Sequence, residues 1–219
     1  MVGWLGSVQP AYAQAQPNPI SCFSTITTSV TLTSDLICTT TAFYAYYAIQ
    51  IGANHITLNC NRFKILNEGS VGEGILIHKK SHVTVEYCDV EFFLYDGIDV
   101  VKGSYDRLIH NYLYENGRSG ACLTNSDAGI GLSFGSSNIV TGNIAESNYC
   151  NGFSVWSYLT NAPSTSFTIS GNTAQTNAAY GFFDVTSGSG TAGTANTYTS
   201  NTCIGNNGGG AQSSPVGLC

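Results

Sequence analysis

The chain has 219 residues, and only 9% of them are Asp, Glu, Lys or Arg, whereas a typical soluble domain carries about 25%. Its net charge of −6 disfavours a nucleic-acid binder, because such proteins need a basic surface. Ser, Thr and Asn interrupt every apolar run, so no membrane-spanning stretch is expected, and 42% apolar content argues against disorder. The composition indicates one folded domain with a largely uncharged polar surface.

The N-terminal segment allows two interpretations. Residues 1–15 end in the Ala-x-Ala spacing of a signal-peptidase site but lack a basic start and a full apolar stretch. They are either the remnant of a signal peptide or an N-terminal arm. Residues 16–47 are rich in Thr and are predicted to cap the end of the fold, because an open sheet end invites aggregation.

Eight cysteines without any CxxC spacing indicate an oxidising compartment and up to four disulfides. The expected localisation is therefore secreted or at the cell surface, with buried free thiols as the alternative. Proximity along the chain suggests that Cys22 pairs with Cys38 and Cys203 with Cys219, although sequence alone does not fix the connectivity.

Short apolar strands that follow a glycine recur along the chain. They are Gly74-Ile-Leu-Ile77, Gly97-Ile-Asp-Val100, Gly152-Phe-Ser-Val155 and Gly181-Phe-Phe-Asp-Val185. In the intervening repeat, Gly120-Ala-Cys-Leu123 competes with Gly131-Leu-Ser-Phe134 for the same role. Each is followed by a second short strand that ends near an asparagine. A period of 20 to 30 residues with short alternating strands is typical of a β-solenoid.

Paired asparagines support the same interpretation. Four pairs are spaced five residues apart: Asn111 and Asn116, Asn143 and Asn148, Asn172 and Asn177, Asn201 and Asn206. Stacked coils would bring these side chains into register, where they can satisfy backbone groups at the turns.

This repeat pattern resembles the right-handed parallel β-helix family, the pectate-lyase-like superfold, over about residues 48–210. The resemblance implies an all-β, single-stranded right-handed parallel β-helix of about six coils, followed by a C-terminal tail at 211–219. The resemblance also implies that the glycine-led strands form the first sheet and that clefts lie beside this sheet. Longer loops are expected at 124–137, 157–166 and 186–196.

Charge is concentrated in one part of the chain. Sixteen of the 20 charged residues, including all seven basic ones, lie between Arg62 and Arg118. Period-2 alternation turns Asp99 outward, because Ile98 and Val100 take the interior. Asp96 precedes that strand, and Glu73 occupies the matching place one coil earlier. These carboxylates are expected on a cleft floor, with a basic patch on its wall.

The candidate catalytic residues are Asp96, Asp99, Lys102 and Arg107. The candidate substrate-binding residues are Lys80, His78, His82, Arg118, Trp156 and Tyr158. Cations beside carboxylates suit an acidic polysaccharide, which a lyase, hydrolase or epimerase could modify. Ca²⁺ on the carboxylate oxygens is a candidate cofactor, but no metal ligands are assigned. Solvation of an exposed flank, without any function, is the alternative.

Further motifs resemble those of the polygalacturonases. Tyr95-Asp-Gly-Ile-Asp99 is similar to their Asn-Thr-Asp-Gly-x-Asp, and Gly129-Ile-Gly-Leu-Ser-Phe-Gly-Ser136 to their Gly-His-Gly-Ile-Ser-Ile-Gly-Ser. Arg118-Ser119 replaces the family's Asp-Asp pair, Ile130 replaces its histidine, and no Arg-Ile-Lys follows. The resemblance thus extends to the coil pattern and to Asp96 and Asp99, but not to polygalacturonase catalysis.

Two hypotheses follow. The first is a secreted β-helix protein that binds, and as an enzyme would cleave or modify, an acidic extracellular polysaccharide. The second is a non-catalytic structural subunit of a cell surface or filament, which assembles as a homo-oligomer through its N-terminal arm. No nucleic-acid partner is expected under either hypothesis.

Overall fold

The computed structural model describes residues 18–39, 45–119, 122, 127–157 and 164–219. Three parallel sheets form, because each coil contributes one short strand to each sheet and pairs with the coils before and after it. The prediction of an all-β parallel solenoid of about six turns is confirmed. Among the described residues, no helix combines the length and hydrophobicity needed to cross a bilayer.

Within each sheet, neighbouring strands come from successive coils. The first sheet contains Ser24–Ile26, Ala45–Ile51, Val71–His78, Ile98–Val101, Ala128–Ser133, Asn151–Trp156, Phe182–Asp184 and Ser213–Ser214. The second contains Val30–Thr31, Thr57–Asn59, Thr84–Glu86, Arg107–Ile109, Ile139–Thr141, Thr168–Ser170 and Thr197–Thr199. The third contains Leu36–Cys38, Lys64–Asn67, Asp89–Glu91, Tyr112–Tyr114, Ile144–Glu146, Thr173–Gln175 and Thr202–Ile204. Short 3₁₀ turns lie at Thr191–Gly193 and Asn207–Gly209.

The bends that join the sheets are called corners here. The first corner joins the first sheet to the second, as at residues 102–106, and the second corner joins the second sheet to the third, as at 110–111. The third corner leads back to the first sheet, as at residues 92–97.

The core consists of apolar columns that run along the solenoid. Alternate residues of each first-sheet strand point inward, so side chains of successive coils stack in register. One column contains Ile49, Ile75, Ile98, Ile130, Phe153 and Phe182, all of them buried. The rings of Phe153 and Phe182 stack with centroids 4.6 Å apart.

One expectation about the strands was wrong. The first-sheet strand that pairs with Ile98–Val101 is Ala128–Ser133. The segment beginning at Gly131, and not the one beginning at Gly120, therefore overlaps this strand, and the loop expected at 124–137 is interrupted by it. Between Tyr112–Tyr114 of the third sheet and Ala128–Ser133 of the first, this coil has more residues than the coil before it, and most of the segment Gly120–Leu123 lies outside the described residues.

Buried asparagines join the coils at the corners, as their spacing predicts. At the second corner, the backbone N–H of Asn111 donates to Asn143 Oδ1 at 2.9 Å. The side-chain Nδ2 of Asn143 donates to the Leu108 carbonyl at 2.9 Å. The same pattern continues through Asn172 and Asn201. The third corner repeats it with Asn116, Asn148, Asn177 and Asn206. Each side chain thereby satisfies backbone groups that the bend leaves unpaired.

Four disulfides fix the coils further. Cys22–Cys38 and Cys203–Cys219 form as expected from proximity. Cys60–Cys88 and Cys122–Cys150 each join residues 28 apart, which is one coil to the next.

A carboxylic acid replaces asparagine in the ladder at the first corner. Asp106 Oδ1 accepts from the Val83 N–H at 2.8 Å, as Asn138 Oδ1 accepts from the Asp106 N–H at 2.9 Å. Asn138 uses its amide nitrogen to donate to the Gly103 carbonyl, whereas the buried Asp106 Oδ2 has no hydrogen-bond partner among the described residues. Burial raises the pKa of Asp106 to about 7, against the opposing effect of the Val83 N–H.

We expect Asp106→Asn to stabilise the protein at pH 8 and to have little effect at pH 4. The folded-state pKa lies above the unfolded value of about 3.9, so the native state binds more protons and wild-type stability falls as the pH rises from about 4 to 7. Asparagine has no charge to bury and supplies the missing donor, worth about 1 kcal/mol or more. Thermal unfolding at both pH values measures this, and an equal shift at both would contradict it.

Candidate active site on the first sheet

Three carboxyl groups converge on the outer side of the first sheet. Glu73 lies in the strand Val71–His78, Asp96 at the third corner, and Asp99 in the next strand. One carboxylate oxygen from each lies within 4.8 Å of the others. They meet because Glu73 and Asp96 are one coil apart, and because Asp99 points outward from a strand whose Ile98 and Val100 are buried. The predicted convergence of Asp96 and Asp99 on one surface is thus what the structure shows.

Backbone hydrogen bonds hold two of these groups. Glu73 Oε2 accepts from the Asp96 N–H at 2.7 Å, and Asp96 Oδ1 accepts from the Ala128 N–H at 2.6 Å. The other Asp96 oxygen lies over Gly131, where an added Cβ would come within 2.7 Å of Oδ2. A residue without a side chain is therefore needed beneath this carboxyl group.

The carboxyl groups hold their protons more tightly than free carboxyl groups do. Burial raises the pKa of Glu73 well above its usual range, and the charge of Asp99 raises it further. Burial and then the charge of Glu73 do the same to Asp96. Burial raises the pKa of the half-buried Asp99 to about 7. Because such close groups cannot all ionise, the cluster contains both acid and carboxylate around neutral pH.

A cavity of about 210 Å³ opens over this cluster. Its described lining residues are Glu73, Tyr95, Asp96, Asp99, Asp127, Gly131, Leu132, Ser133, Phe134 and Trp156. Carboxyl groups thus meet apolar and aromatic surface, the combination that binds sugar rings through both hydroxyl groups and ring faces.

Aromatic side chains extend the surface beyond the cavity. Trp156 lies 5.9 Å from Phe183 between ring centroids, and Tyr180 stacks on Phe183 at 5.8 Å. Trp156, predicted as a substrate-binding residue, lines the cavity. Tyr46 is 61% exposed. The pKa of its hydroxyl group is raised by partial burial and, to a smaller extent, by the charges of Glu73, Asp99 and Asp96.

Lys80, His82 and Lys102 lie at the first corner and His78 ends the strand before it, and none of the basic candidates is among the described residues that line the cavity. His78 is in register with Val101, in the column that continues to Trp156. Lys102 follows Val101 and is exposed. Burial lowers the pKa of His78, and the charges of Lys79, Lys102 and Lys80 lower it further, so these lysines lie near its ring.

His82 and Arg107 lie further from the carboxyl groups. The His82 ring stacks between His55, at 4.5 Å, and Tyr105, at 5.2 Å. Arg107 is the first residue of a second-sheet strand and is exposed, in register with Thr84 and Ile139. The first corner therefore separates Arg107 from Asp99.

Two other candidates are not part of this cavity. The Arg118 guanidinium lies at the third corner, 5.3 Å from the Phe92 ring centroid and 5.9 Å from that of Tyr149, a cation–π arrangement. Tyr158 lies outside the described residues.

Sequence reasoning assigned no role to Asp127, Tyr95 or Phe134. Asp127 reaches the cavity from the extra residues of the third corner and accepts a hydrogen bond from Ser119 Oγ at 2.6 Å. No repeat spacing signals it, because the corner differs in length from coil to coil. Glu73 could be found by its 23-residue spacing from Asp96. Together with Asp99, these two residues offer three carboxylate oxygens of the kind that Ca²⁺ binds.

We expect Asp99→Asn to raise the melting temperature at pH 8 but not at pH 4. In the wild type the raised pKa values mean that stability falls as the pH rises from about 4 to 7, since charge must enter a buried cluster. Removing one charge relieves this cost and the repulsion felt by Glu73 and Asp96. A gain of about 1 kcal/mol corresponds to about 2–4 °C for a chain of this size. Glu68→Gln, at an exposed carboxylate outside the cluster, is the matched control and should change little at either pH.

Comparisons with known proteins agree with the fold. A family described as a right-handed β-helix region matches residues 47–215. A solved alginate lyase from Paenibacillus sp. str. FPU-7 is similar, with a TM-score of 0.44, 10% identity and coverage of 80% of this chain and 82% of the lyase. The Dettilon tailspike protein is similar with a TM-score of 0.37 and 12% identity, over 86% of this chain and 56% of the tailspike. A comparison with curated proteins found no match. Because the family match spans most of its length, the chain belongs to the right-handed β-helix family.

Proposed function

We propose that this chain is an extracellular protein that binds an acidic polysaccharide along its first sheet and hydrolyses it with Asp96 and Asp99. The observation that carries the proposal is the convergence of three carboxyl oxygens within 4.8 Å beneath an aromatic-lined cavity. Glycoside hydrolysis needs one carboxylic acid and one carboxylate at the scissile bond, and a cluster that shares protons supplies both. Four disulfides support the extracellular location.

The contacts of each carboxyl group suggest its role. Asp96 Oδ1 accepts from the Ala128 N–H, so its proton belongs on Oδ2, which lies over Gly131 at the cavity floor. Asp96 is therefore the general acid that protonates the glycosidic oxygen as the bond to the anomeric carbon breaks. Asp99 is less buried than Asp96, and their oxygens lie within 4.8 Å of each other, close to the separation of about 5–5.5 Å in retaining hydrolases, so Asp99 is the carboxylate that attacks the anomeric carbon. Water then cleaves the ester between the sugar and Asp99, and Asp96 takes the proton of that water.

The cations at the first corner provide the preference for acidic sugars. Lys80 and Lys102 lie beside the column that contains His78 and leads to Trp156, where they can attract the carboxylates of sugars on either side of the scissile bond. Arg107, on the second sheet, would contact a more distant unit. Elimination by a lyase is the alternative reaction; since no Lys, Arg or His is among the described lining residues, it would need Ca²⁺ on the carboxyl cluster as the cation at the reacting uronate.

A second candidate is assembly into filaments. In the described part of the chain, the strands Ser24–Ile26 and Ser213–Ser214 lie at the two edges of the first sheet, and unpaired edges can add further strands. A strictly monomeric particle in light scattering would contradict this candidate and leave the hydrolase proposal standing.

The test of the hydrolase proposal is a screen of acidic polysaccharides in H₂¹⁸O. Hydrolysis should place one ¹⁸O at each new reducing end, whereas a lyase would give unlabelled, unsaturated ends that absorb in the ultraviolet. Asp99→Asn should lower kcat by about 10²–10⁴-fold with little change in KM. Gly131→Ala should also lower kcat because its methyl group displaces Asp96 Oδ2, while Lys102→Ala should mainly raise KM.

Glu68→Gln is again the control and should retain full activity. The proposal fails if the wild-type protein neither binds nor cleaves any acidic glycan, or if Asp99→Asn cleaves at the wild-type rate. Unsaturated products would replace hydrolysis with elimination.

A further inference from the structure

A second cavity lies on a different side of the solenoid, at the second corner. Its volume is about 250 Å³, and it lies between the second and third sheets, across the first corner from the carboxyl cluster. Its walls are formed by Arg62, Tyr87, Asp89, His110, Tyr112 and Ile144, together with Cys88. The proposed hydrolase uses none of these residues.

One wall is a stack of planar groups that runs along the solenoid. The Arg62 guanidinium carbon lies 5.6 Å from the centroid of the Tyr87 ring, and Tyr87 stacks on His110 with centroids 5.4 Å apart. His110 Nδ1 lies 3.4 Å from the Gly142 carbonyl oxygen, and a Cβ on Gly142 would overlap the imidazole ring. The glycine of the next coil therefore leaves the space that the His110 ring occupies.

The opposite wall contains a carboxyl oxygen that lacks a donor. Asp89 Oδ1 is buried and has no hydrogen-bond partner among the described residues. The neighbouring Glu91 is already engaged by Lys64 Nζ at 2.7 Å, and Tyr112 donates its hydroxyl to Glu146 at 2.8 Å. Burying a polar oxygen without a partner costs about 1–3 kcal/mol, so a ligand that donates a hydrogen bond to Asp89 recovers this energy.

The walls are preorganised. Cys60–Cys88 joins the two coils that carry Arg62 and Asp89, and the Arg62 N–H donates to the Tyr87 carbonyl at 2.8 Å. A site held in this way loses little conformational entropy when a ligand binds.

We propose that this cavity binds one neutral sugar unit, as a non-catalytic glycan-binding site. The ligand must donate to Asp89 and accept from Arg62, a combination that hydroxyl groups provide. Burial, and then the charge of Glu91, raise the pKa of Asp89 to about 7, so above this pH a free anion would be repelled by Asp89, and a metal ion would be repelled by Arg62. The volume lies below the range of about 300–1,000 Å³ typical of drug-sized ligands, which fits a single pyranose. This site goes beyond the proposed hydrolase and does not depend on it.

The test is an NMR titration of the folded protein with neutral methyl glycosides of glucose, galactose and mannose, and separately with sodium galacturonate. The chain has four histidines, so the His110 ring resonances are a specific reporter of this cavity. At least one neutral glycoside should shift His110 saturably while leaving His55 and His82 unchanged. The same shift should occur in Asp99→Asn, which separates this site from the carboxyl cluster.

Two variants should abolish the shift by different routes. Asp89→Asn keeps an oxygen acceptor but removes its negative charge, so it should weaken binding roughly tenfold. Ile144→Phe, at a position that is 39% exposed, fills the cavity without disturbing the core and should have the same effect. Glu68→Gln should bind as the wild type does. The proposal is overturned if no neutral glycoside shifts His110, if only galacturonate does, or if both Asp89→Asn and Ile144→Phe bind normally.

Discussion

Hydrogen bonds between successive coils determine the rest of this structure. Backbone ladders fix the register of the three sheets, and buried asparagines fix the second and third corners, where each accepts a hydrogen bond from the preceding coil and donates one back to it. A shift of one residue would turn every inward side chain outward, so the register is strongly specified. This constraint brings Glu73, Asp96 and Asp99 together, although they are distributed over two coils.

The fold could be predicted from the sequence because its signals repeat. The asparagine pairs, the glycine-led strands and the outward position of Asp99 all follow from stacking and period-2 alternation. The fourth coil was ambiguous because two glycine-led segments compete there, and the pairing of Ala128–Ser133 with Ile98–Val101 decides between them.

The site was less predictable because corners do not repeat. Asp127 enters the cavity from extra residues that only one coil contains, and the interactions of Arg118 depend on rings at 92 and 149 that are distant in sequence. Arg107 was a candidate catalytic residue, expected near Asp99, but the length of the first corner places it on another sheet. Spacing predicts which residues share a column, whereas the path of each corner determines which face they reach.

Two sites depart from the repeat pattern in the same way, by burying carboxyl groups. Asp106 in an asparagine ladder and the cluster around Asp99 both place carboxyl groups where burial opposes ionisation. The rigid stack of coils can hold such groups in place at a cost in stability, and sites that break the local pattern in this way are where function is expected. Asp106 has only structural contacts, whereas the cluster faces a cavity.

The most direct test of this account is a ¹³C NMR titration of the Asp and Glu carboxyl carbons of the wild-type protein, with Asp99→Asn for assignment. The account predicts one cavity carboxyl with a pKa of about 7 that disappears in Asp99→Asn, and two more, Glu73 and Asp96, whose pKa values lie well above the usual range of carboxyl groups. If all three titrated near about pH 4, as free carboxyl groups do, the cluster would not share protons and the proposed roles of Asp96 and Asp99 would be contradicted.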